Sequence, residues 1–277
     1  MKRRLIQLCA ALLYNLNLKG FAEASIYKGK SKGLCVPGLN CYSCPGAVGS
    51  CPLGTLQNAL SAMDRKLPFY ILGVLLLFGV TMGRTICGFL CPFGLVQELL
   101  YKIPVPKIKK NRVTQELSKV KYVILAVFVV ILPVVFKAAS GLPVPAFCKY
   151  ICPAGTLEGG IPLVLLDDSL SGLAGALFHW KVLVLAAILV SACFLYRSFC
   201  RILCPLGAIY SLFAPVALLG VRIDRDTCVD CGRCVRTCKM DVRQVGDREC
   251  IQCGECMKEC NVDAIYWKKP WDVKSKK

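Results

Sequence analysis

The chain has 277 residues, of which 56% are hydrophobic and 20 are cysteine, and it carries a formal net charge of +18. This length and apolar composition exclude a short, polar secreted domain stapled by disulfides, and the single histidine, His179, excludes a relay of haems with paired histidine ligands. The positive charge is concentrated between Lys102 and Lys121 and at the end of the chain, which is typical of cytoplasmic loops of a membrane protein and argues against nucleic acid as a partner.

The first segment, residues 1–33, combines a basic start with a short apolar stretch from Leu5 to Leu18. This composition fits a spanning helix, an interfacial helix or a signal-like start. Because no small-residue cleavage site follows, we expect the segment to remain as a membrane or interfacial helix.

The next region is organised around the tetrapeptide Cys-Pro-x-Gly, which occurs four times. The copies stand at Cys51, Cys91, Cys152 and Cys204. In the last three copies another cysteine lies four residues earlier, at Cys87, Cys148 and Cys200, whereas the first copy is preceded by Cys35, Cys41 and Cys44. Similar copies recur in the same order, which predicts an internal duplication with two halves of the same orientation. The predicted repeats are residues 34–103 and 122–220, and a basic cytoplasmic loop, residues 104–121, connects them.

Three apolar runs accompany these copies, at Leu67 to Gly83, Tyr122 to Phe136 and Trp180 to Tyr196. Each has 15 to 17 residues without internal charge, slightly fewer than the roughly 20 of a spanning helix. We expect the flanks to complete each span, and Pro133 to be a tolerated kink; burial inside a soluble protein is the alternative. The expected fold class is therefore an α-helical, multi-pass protein of the cytoplasmic membrane.

The Cys-Pro unit has a physical rationale. A proline is favoured in the first helical turn, because its missing N–H would have had no partner there. The preceding thiolate then lies at the positive end of the helix dipole. A CxxxC pair on one helix would also place both cysteines on one face. We expect the four cysteines that converge toward the cytoplasmic side to form a site with Arg84 and Arg197 as charge partners: Cys87, Cys91, Cys200 and Cys204.

A second site is expected toward the outer side. There Cys148 and Cys152 would join two of Cys41, Cys44 and Cys51, or Cys35. Disulfides are the alternative for this outer group, and inert buried thiols are the alternative for the inner one. Because electron tunnelling decays steeply with distance, the proline-led helices are expected to be re-entrant, so that both groups approach the middle of the bilayer.

From Val221 onward the composition becomes charged and polar, which predicts a separate domain, residues 221–277. It contains the spacing C-x2-C-x2-C-x3-C twice, and Gly232 and Gly254 provide tight turns. This spacing resembles that of bacterial two-cluster ferredoxins, whereas zinc ribbons use separated CxxC pairs. The resemblance implies a small α+β domain with one [4Fe-4S] cluster on Cys228, Cys231, Cys234 and Cys260, and another on Cys250, Cys253, Cys256 and Cys238.

Together, the CxxxCP motifs and the two ferredoxin-type motifs resemble the NapH/NosR-like family of membrane polyferredoxins over most of residues 41–260. The resemblance implies a multi-pass protein that passes electrons between a quinol or cytosolic donor and a partner flavoprotein, cytochrome or reductase. One or two further Fe–S clusters are expected in the membrane repeats. No acid–base or nucleophile constellation indicates a substrate site or catalytic residues. The alternative function is an assembly or regulatory factor that uses thiols or clusters to handle metal or disulfides for a metalloenzyme.

Overall fold

The computed structural model describes residues 2–61, 68–108, 111–167, 169, 172 and 174–268. The described chain is mostly helical, with one two-stranded sheet near its end. The helices that precede the sheet are α1 (Lys2–Tyr14), α2 (Lys19–Ala22), α3 (Pro52–Ser61), α4 (Phe69–Thr81), α5 (Thr85–Phe89), α6 (Pro92–Leu100), α7 (Arg112–Leu117), α8 (Val120–Ile124), α9 (Leu132–Ser140), α10 (Ala146–Tyr150), α11 (Ile161–Leu166), α12 (Ala176–Phe194), α13 (Ser198–Ile202) and α14 (Pro205–Phe213). The C-terminal elements are β1 (Gly220–Ile223), α15 (Arg233–Thr237) and β2 (Ile265–Lys268). Short 3-10 helices lie at Lys30–Gly33 and Glu255–Glu259, and π-helical stretches lie at Leu125–Ile131 and Gly155–Gly160.

Two helices of the described chain are long and apolar enough to cross a membrane. They are Arg112–Ser140, a continuous helix that includes α7 to α9, and α12. Only 17% of the most apolar window of each helix is buried, and side chains such as Val123 and Leu183 are about two-thirds exposed. Apolar helices that face outward are not core helices of a soluble protein, so the structure disfavours the alternative of buried helices.

The third apolar run, Leu67 to Gly83, forms a shorter helix than expected. The helix α4 has only 13 residues, and Leu67 lies outside the described residues. The chain turns at Gly83, whose φ of +50° is a conformation that glycine adopts without strain. The prediction that this run spans a membrane is therefore not confirmed.

Proline begins the short helices, as predicted. The helices α3, α6 and α14 start at the prolines that directly follow Cys51, Cys91 and Cys204. The prediction that each CxxxC pair lies on one helix is wrong, because α5 ends at Phe89 and α13 at Ile202, before the second cysteine. Proline disfavours helical backbone in the residue before it, and Cys91 is accordingly extended, with φ −89° and ψ 114°.

The predicted kink at Pro133 takes the form of a change in helical register. The stretch Leu125–Ile131 is π-helical, and α9 resumes at Leu132. The same arrangement is present at Pro162, where the π-helical stretch Gly155–Gly160 precedes the α-helix that contains the proline. A proline lacks an N–H and clashes with the carbonyl four residues earlier, and a wider turn before it accommodates both effects.

The C-terminal module, residues 220–268, is closed by β1 and β2, which pair antiparallel from Gly220 with Lys268 to Ile223 with Ile265. The predicted tight turns at Gly232 and Gly254 are present, with φ of +67° and +75°. The module packs against the helical part at Gly88, where an added Cβ would lie 2.3 Å from the carbonyl oxygen of Ile251. The backbone beside Cys87 therefore touches the backbone beside Cys250.

This contact leads to a prediction for Gly88→Ala. The new methyl group has no room against the Ile251 backbone, so the substitution should lower the free energy of unfolding by about 1–3 kcal/mol, as overpacking does. Thermal denaturation in detergent measures the change. Gly73→Ala is the matched control, because a Cβ at Gly73 meets nothing within 4 Å and alanine favours the helix; equal effects of the two changes would contradict the prediction.

Candidate functional site

The predicted inner cysteines converge in the structure. They form the inner set: Cys87 on α5, Cys91 before α6, Cys200 on α13 and Cys204 before α14. All four side chains are buried. Burial raises the pKa of the Cys204 thiol well above its usual value, and the neighbouring thiolates of Cys200, Cys87 and Cys91 add to that effect. Four sulfurs from the two halves of the chain therefore share one electrostatic environment.

The two predicted arginines flank the inner set, and both are fully buried. Arg84 Nη1 donates to the Arg248 carbonyl at 2.7 Å and to Glu249 Oε2 at 2.9 Å. Arg197 donates to the Cys87 carbonyl and, from Nε and Nη2, to Glu98 Oε1 at 2.9 and 2.6 Å. Arg84 Nε and Nη2 are buried without a partner among the described residues. Unused buried donors are costly, so an anionic group beside the inner thiolates would complete this environment.

The outer cysteines line a cavity of about 600 Å³. The outer set consists of the four cysteines that line it, namely Cys41, Cys51, Cys148 and Cys152. Burial, and then the Cys152 thiolate and the Glu158 carboxylate, raise the pKa of the Cys41 thiol. Cys44 is buried outside this lining, and Cys35 Sγ lies 3.6 Å from the hydroxyls of Ser50 and Thr55. All twenty cysteines belong to the described residues, and none forms a disulfide.

Four polar side chains that the sequence reasoning missed hold these cysteine segments. Each stands six residues after the cysteine of a Cys-Pro-x-Gly copy: Gln57, Gln97, Glu158 and Tyr210. A polar residue recurring at one fixed offset within apolar helices was the signal available in the sequence.

The two glutamines make equivalent contacts. Gln57 Nε2 lies 3.3 Å from Cys148 Sγ and its Oε1 accepts from the Phe147 N–H at 2.9 Å. Gln97 Nε2 lies 3.1 Å from Cys200 Sγ and its Oε1 accepts from the Phe199 N–H at 3.1 Å. Each glutamine of the first half therefore positions, and donates a hydrogen bond to, one cysteine of the second half.

In the C-terminal module the cysteines also separate into groups. A cavity of about 30 Å³ is lined by one group together with Tyr196: Cys238, Cys250, Cys253 and Cys256. This is the grouping that the ferredoxin resemblance implies for one cluster. Burial raises the pKa of the Cys234 thiol, and the nearby thiolates of Cys231 and Cys228 raise it further. These three cysteines are the first three members of the other group.

Buried ion pairs fix the module beside the inner set. Glu249 Oε2 is 2.9 Å from Arg84 Nη1 and its Oε1 is 2.5 Å from Lys121 Nζ. Arg201 pairs with Asp241 in a second contact that excludes water. The module is therefore held by buried charge pairs, and breaking one of them would leave an uncompensated charge in an apolar interior.

The chemistry of the cysteine sets bears on the metal they could hold. Within the described ranges, no group of three or more His, Cys, Asp or Glu side chains was found that could hold one metal ion. Buried soft thiolates with cationic or hydrogen-bonding neighbours fit [4Fe-4S] chemistry.

A sequence model of a 4Fe-4S binding domain matches more than half of the chain, at residues 50–70, 67–111, 122–161 and 177–223. Each matched stretch contains one copy of Cys-Pro-x-Gly. The match therefore covers the helical part, outside the ferredoxin-type motifs of the C-terminal module.

Several known proteins are similar to the chain. Uncharacterized protein MJ0750 of Methanocaldococcus jannaschii is 30% identical over 61% of this chain and 64% of its own length. Putative electron transport protein YccM of Escherichia coli is 23% identical over 70% of this chain and 54% of its own length. Regulatory protein NosR of Pseudomonas aeruginosa is 31% identical over 57% of this chain and 20% of its own length. The chain thus aligns with less than two thirds of each of these relatives, and no solved structure matches it.

The carboxylate of Glu98 generates a stability prediction. It is 3% exposed, accepts from Tyr196 and pairs with both Arg3 and Arg197. Glu98→Gln would remove the counter-charge of the buried Arg197 and leave Arg3 only its more distant pair with Glu255, at 3.6 Å, so we expect a loss of about 3–5 kcal/mol in the free energy of unfolding at pH 7. Glu116→Gln, at an exposed pair with Lys119, should cost less than about 1 kcal/mol. Thermal denaturation of both variants tests the difference.

The Glu98 contribution also has a defined pH dependence. Although burial alone would raise it, the guanidiniums of Arg197 and Arg3 lower the pKa of Glu98. The contribution is therefore complete above the unfolded carboxyl pKa of about 4.3 and is lost as pH falls below it. The stability difference between the wild type and Glu98→Gln should shrink in that acidic range, and a constant difference would contradict the assignment.

Proposed function

Because the chain belongs to the family of NapH/NosR-like polyferredoxins defined by this 4Fe-4S binding domain, we propose that it is a membrane-bound conduit for electrons. The observation that carries the proposal is that cysteines from separate halves of the chain come together in two four-thiol sets, of which the inner is buried and the outer lines a cavity. The printed function of YccM, putative electron transport, supports the same role.

In this proposal the chain holds four [4Fe-4S] clusters. The inner set and the outer set each hold one, and the C-terminal module holds one on Cys238, Cys250, Cys253 and Cys256 and one on Cys228, Cys231, Cys234 and Cys260. When bound, each cluster takes up and returns one electron. Arg84 and Arg197 offset the anionic charge of the inner set, while the apolar core around the inner set excludes water.

The contacts at Gly88 support an order for the sites. The Cys250 group of the module adjoins the inner set through the touching Gly88 and Ile251 backbones, and the inner set adjoins the outer set within the helical part. The module would therefore exchange electrons with water-soluble partners, and the outer set would exchange them with a second partner.

The exposed apolar surfaces of Arg112–Ser140 and α12 support a location in the cytoplasmic membrane. The module contacts Lys121 at the end of the basic segment, which supports a cytoplasmic module under the positive-inside rule. The partners proposed are lipid, a redox protein such as a flavoprotein, cytochrome or reductase, and a quinone as a further candidate. The internal duplication belongs to the same proposal, supported by the equivalent contacts of Gln57 and Gln97.

Iron analysis of the anaerobically purified chain tests the proposal. Four clusters give about sixteen iron atoms per chain, whereas a loaded module alone gives about eight. Cys41→Ser and Cys91→Ser should each remove about four irons, from the outer and inner sets respectively. Cys44→Ser is the matched control for Cys41→Ser, because Cys44 does not line the cavity. About eight irons in the wild type would refute the buried clusters.

The glutamines allow a second prediction about reduction potentials. A hydrogen bond to a cluster thiolate stabilises the reduced, more negative state. Gln97→Met should therefore lower the potential of the inner cluster, and Gln57→Met that of the outer cluster, each by roughly 60 mV, the one-electron equivalent of about 1.4 kcal/mol. An EPR redox titration measures both changes, and each variant is the control for the other. Equal shifts of both clusters in each variant would contradict the assignment.

A second candidate function is an assembly or regulatory factor for a metalloenzyme. The printed name of NosR as a regulatory protein favours it. A conduit requires clusters that cycle reversibly, whereas a factor that delivers metal or thiols does not. Clusters that break down on the first reduction and reoxidation in an anaerobic titration would favour this second function.

A further inference from the structure

The two cysteine sets are connected by one short loop, residues 37–40, which is buried from Gly38 onward. It begins at Pro37 and leads directly into Cys41 of the outer set. Its Leu39 and Asn40 side chains are buried and line the outer cavity. The loop precedes the irregular first Cys-Pro-x-Gly copy, and the other three copies have only the CxxxC spacing at this place.

The other end of the loop touches the inner set. A Cβ built on Gly38 would lie 2.8 Å from the Leu90 carbonyl oxygen and 3.2 Å from Cys91 Cα. No side chain fits in that space, so the Gly38 backbone lies directly against the backbone that carries Cys91. Three consecutive residues, Gly38, Leu39 and Asn40, connect this contact to Cys41.

The contact with the inner set and the wall of the outer cavity are adjacent in the chain. Gly38 packs against the backbone of Cys91, and the next two residues, Leu39 and Asn40, line the outer cavity. Neighbouring Cα atoms are about 3.8 Å apart, so the loop passes from the inner set to the wall of the outer cavity within a few residues.

Side chains from other elements fix the loop at both ends. The hydroxyl of Tyr210, a fully buried residue of α14, donates to the Pro37 carbonyl at 2.9 Å. The Asn15 side chain donates to Asn40 Oδ1 at 2.9 Å.

We propose that the buried loop 37–40, held by Tyr210, is the bridge through which electrons pass between the inner and outer sets. The inference rests on the proposed function. One electron would cross the bridge, so that a cluster held by one set would lose one electron as a cluster held by the other set gains it. No bond forms or breaks, no proton moves, and Tyr210 acts as a positioning residue that stays reduced. Tunnelling decays less steeply through covalent bonds than across a gap, which is why the continuous chain from Gly38 to Cys41 favours this route.

The proposal also accounts for the irregular first copy. In the first copy, the segment that leads to Cys41 also contacts Cys91 through Gly38, and only one half needs such a contact because one bridge connects the two sets.

The test uses two variants of the full chain, purified anaerobically in detergent. Gly38→Ala forces the loop away from Leu90 and Cys91, and Tyr210→Phe removes only the hydroxyl that holds Pro37. Gly73→Ala is the matched control, since its Cβ meets nothing within 4 Å. The oxidised protein is mixed with a reduced soluble ferredoxin, a donor too large to enter the outer cavity, and is frozen after set times for EPR. The outer signal is identified as the one that Cys41→Ser lacks.

With iron content unchanged, both variants should show a severalfold slower rise of the outer signal, while the inner signal rises at the wild-type rate. The magnetic interaction between the two reduced sets should also change in Gly38→Ala.

A wild-type rise of the outer signal in Tyr210→Phe, at full iron content, would overturn the bridge and leave the proposed function intact. If Gly38→Ala loses iron, the result for Tyr210→Phe decides alone. A wild-type protein without iron in the outer set would defeat the proposed function itself, and the bridge with it.

Discussion

The structure depends on the backbone restriction that proline imposes on the cysteine before it. Cys91 and Cys204 are held in extended conformation, so one helix must end before each of them and another must begin after it. Each thiol consequently lies at a helix N-terminus, and the N–H of Gly207 points at Cys204 Sγ from 3.3 Å. The apolar helices around these turns provide burial, while the turns provide backbone N–H donors to the sulfurs. Buried thiols and backbone N–H groups therefore lie together at the helix N-termini, and no lipid-exposed loop is needed to bring them together.

Burying charge has a cost that shapes the junction with the C-terminal module. Arg84, Lys121 and Arg201 are removed from water, and each finds a carboxylate that belongs to the module. Each of these three cations would be strongly destabilising without its carboxylate, because an unpaired charge would then be buried. The helical part and the module are therefore complementary surfaces, and the basic charge of the chain is partly a structural requirement of this interface.

The sequence predicted the features that depend on local chemistry. The prolines after Cys51, Cys91 and Cys204 predicted where helices begin, and the spacing around Gly232 and Gly254 predicted the tight turns of the module. The break within CxxxC was also readable, because the proline rule that starts one helix ends the previous one. The sequence could not predict that Cys41, and not Cys44, lines the outer cavity. That outcome depends on tertiary contacts such as the hydrogen bond from the Cys41 N–H to Glu158, 117 residues away. The contacts of Gln57 and Gln97 with the opposite half depend on tertiary packing in the same way.

The ion-paired junction has a consequence for how a soluble partner meets the chain. Because the edge of the module near Cys250 is occupied by the helical part, the surface left to water lies around Val229 and Cys231, both of which are exposed. In the proposed conduit, a soluble carrier would have to reach this one exposed edge, and the frequency and orientation of its encounters with that edge would govern the rate of electron transfer.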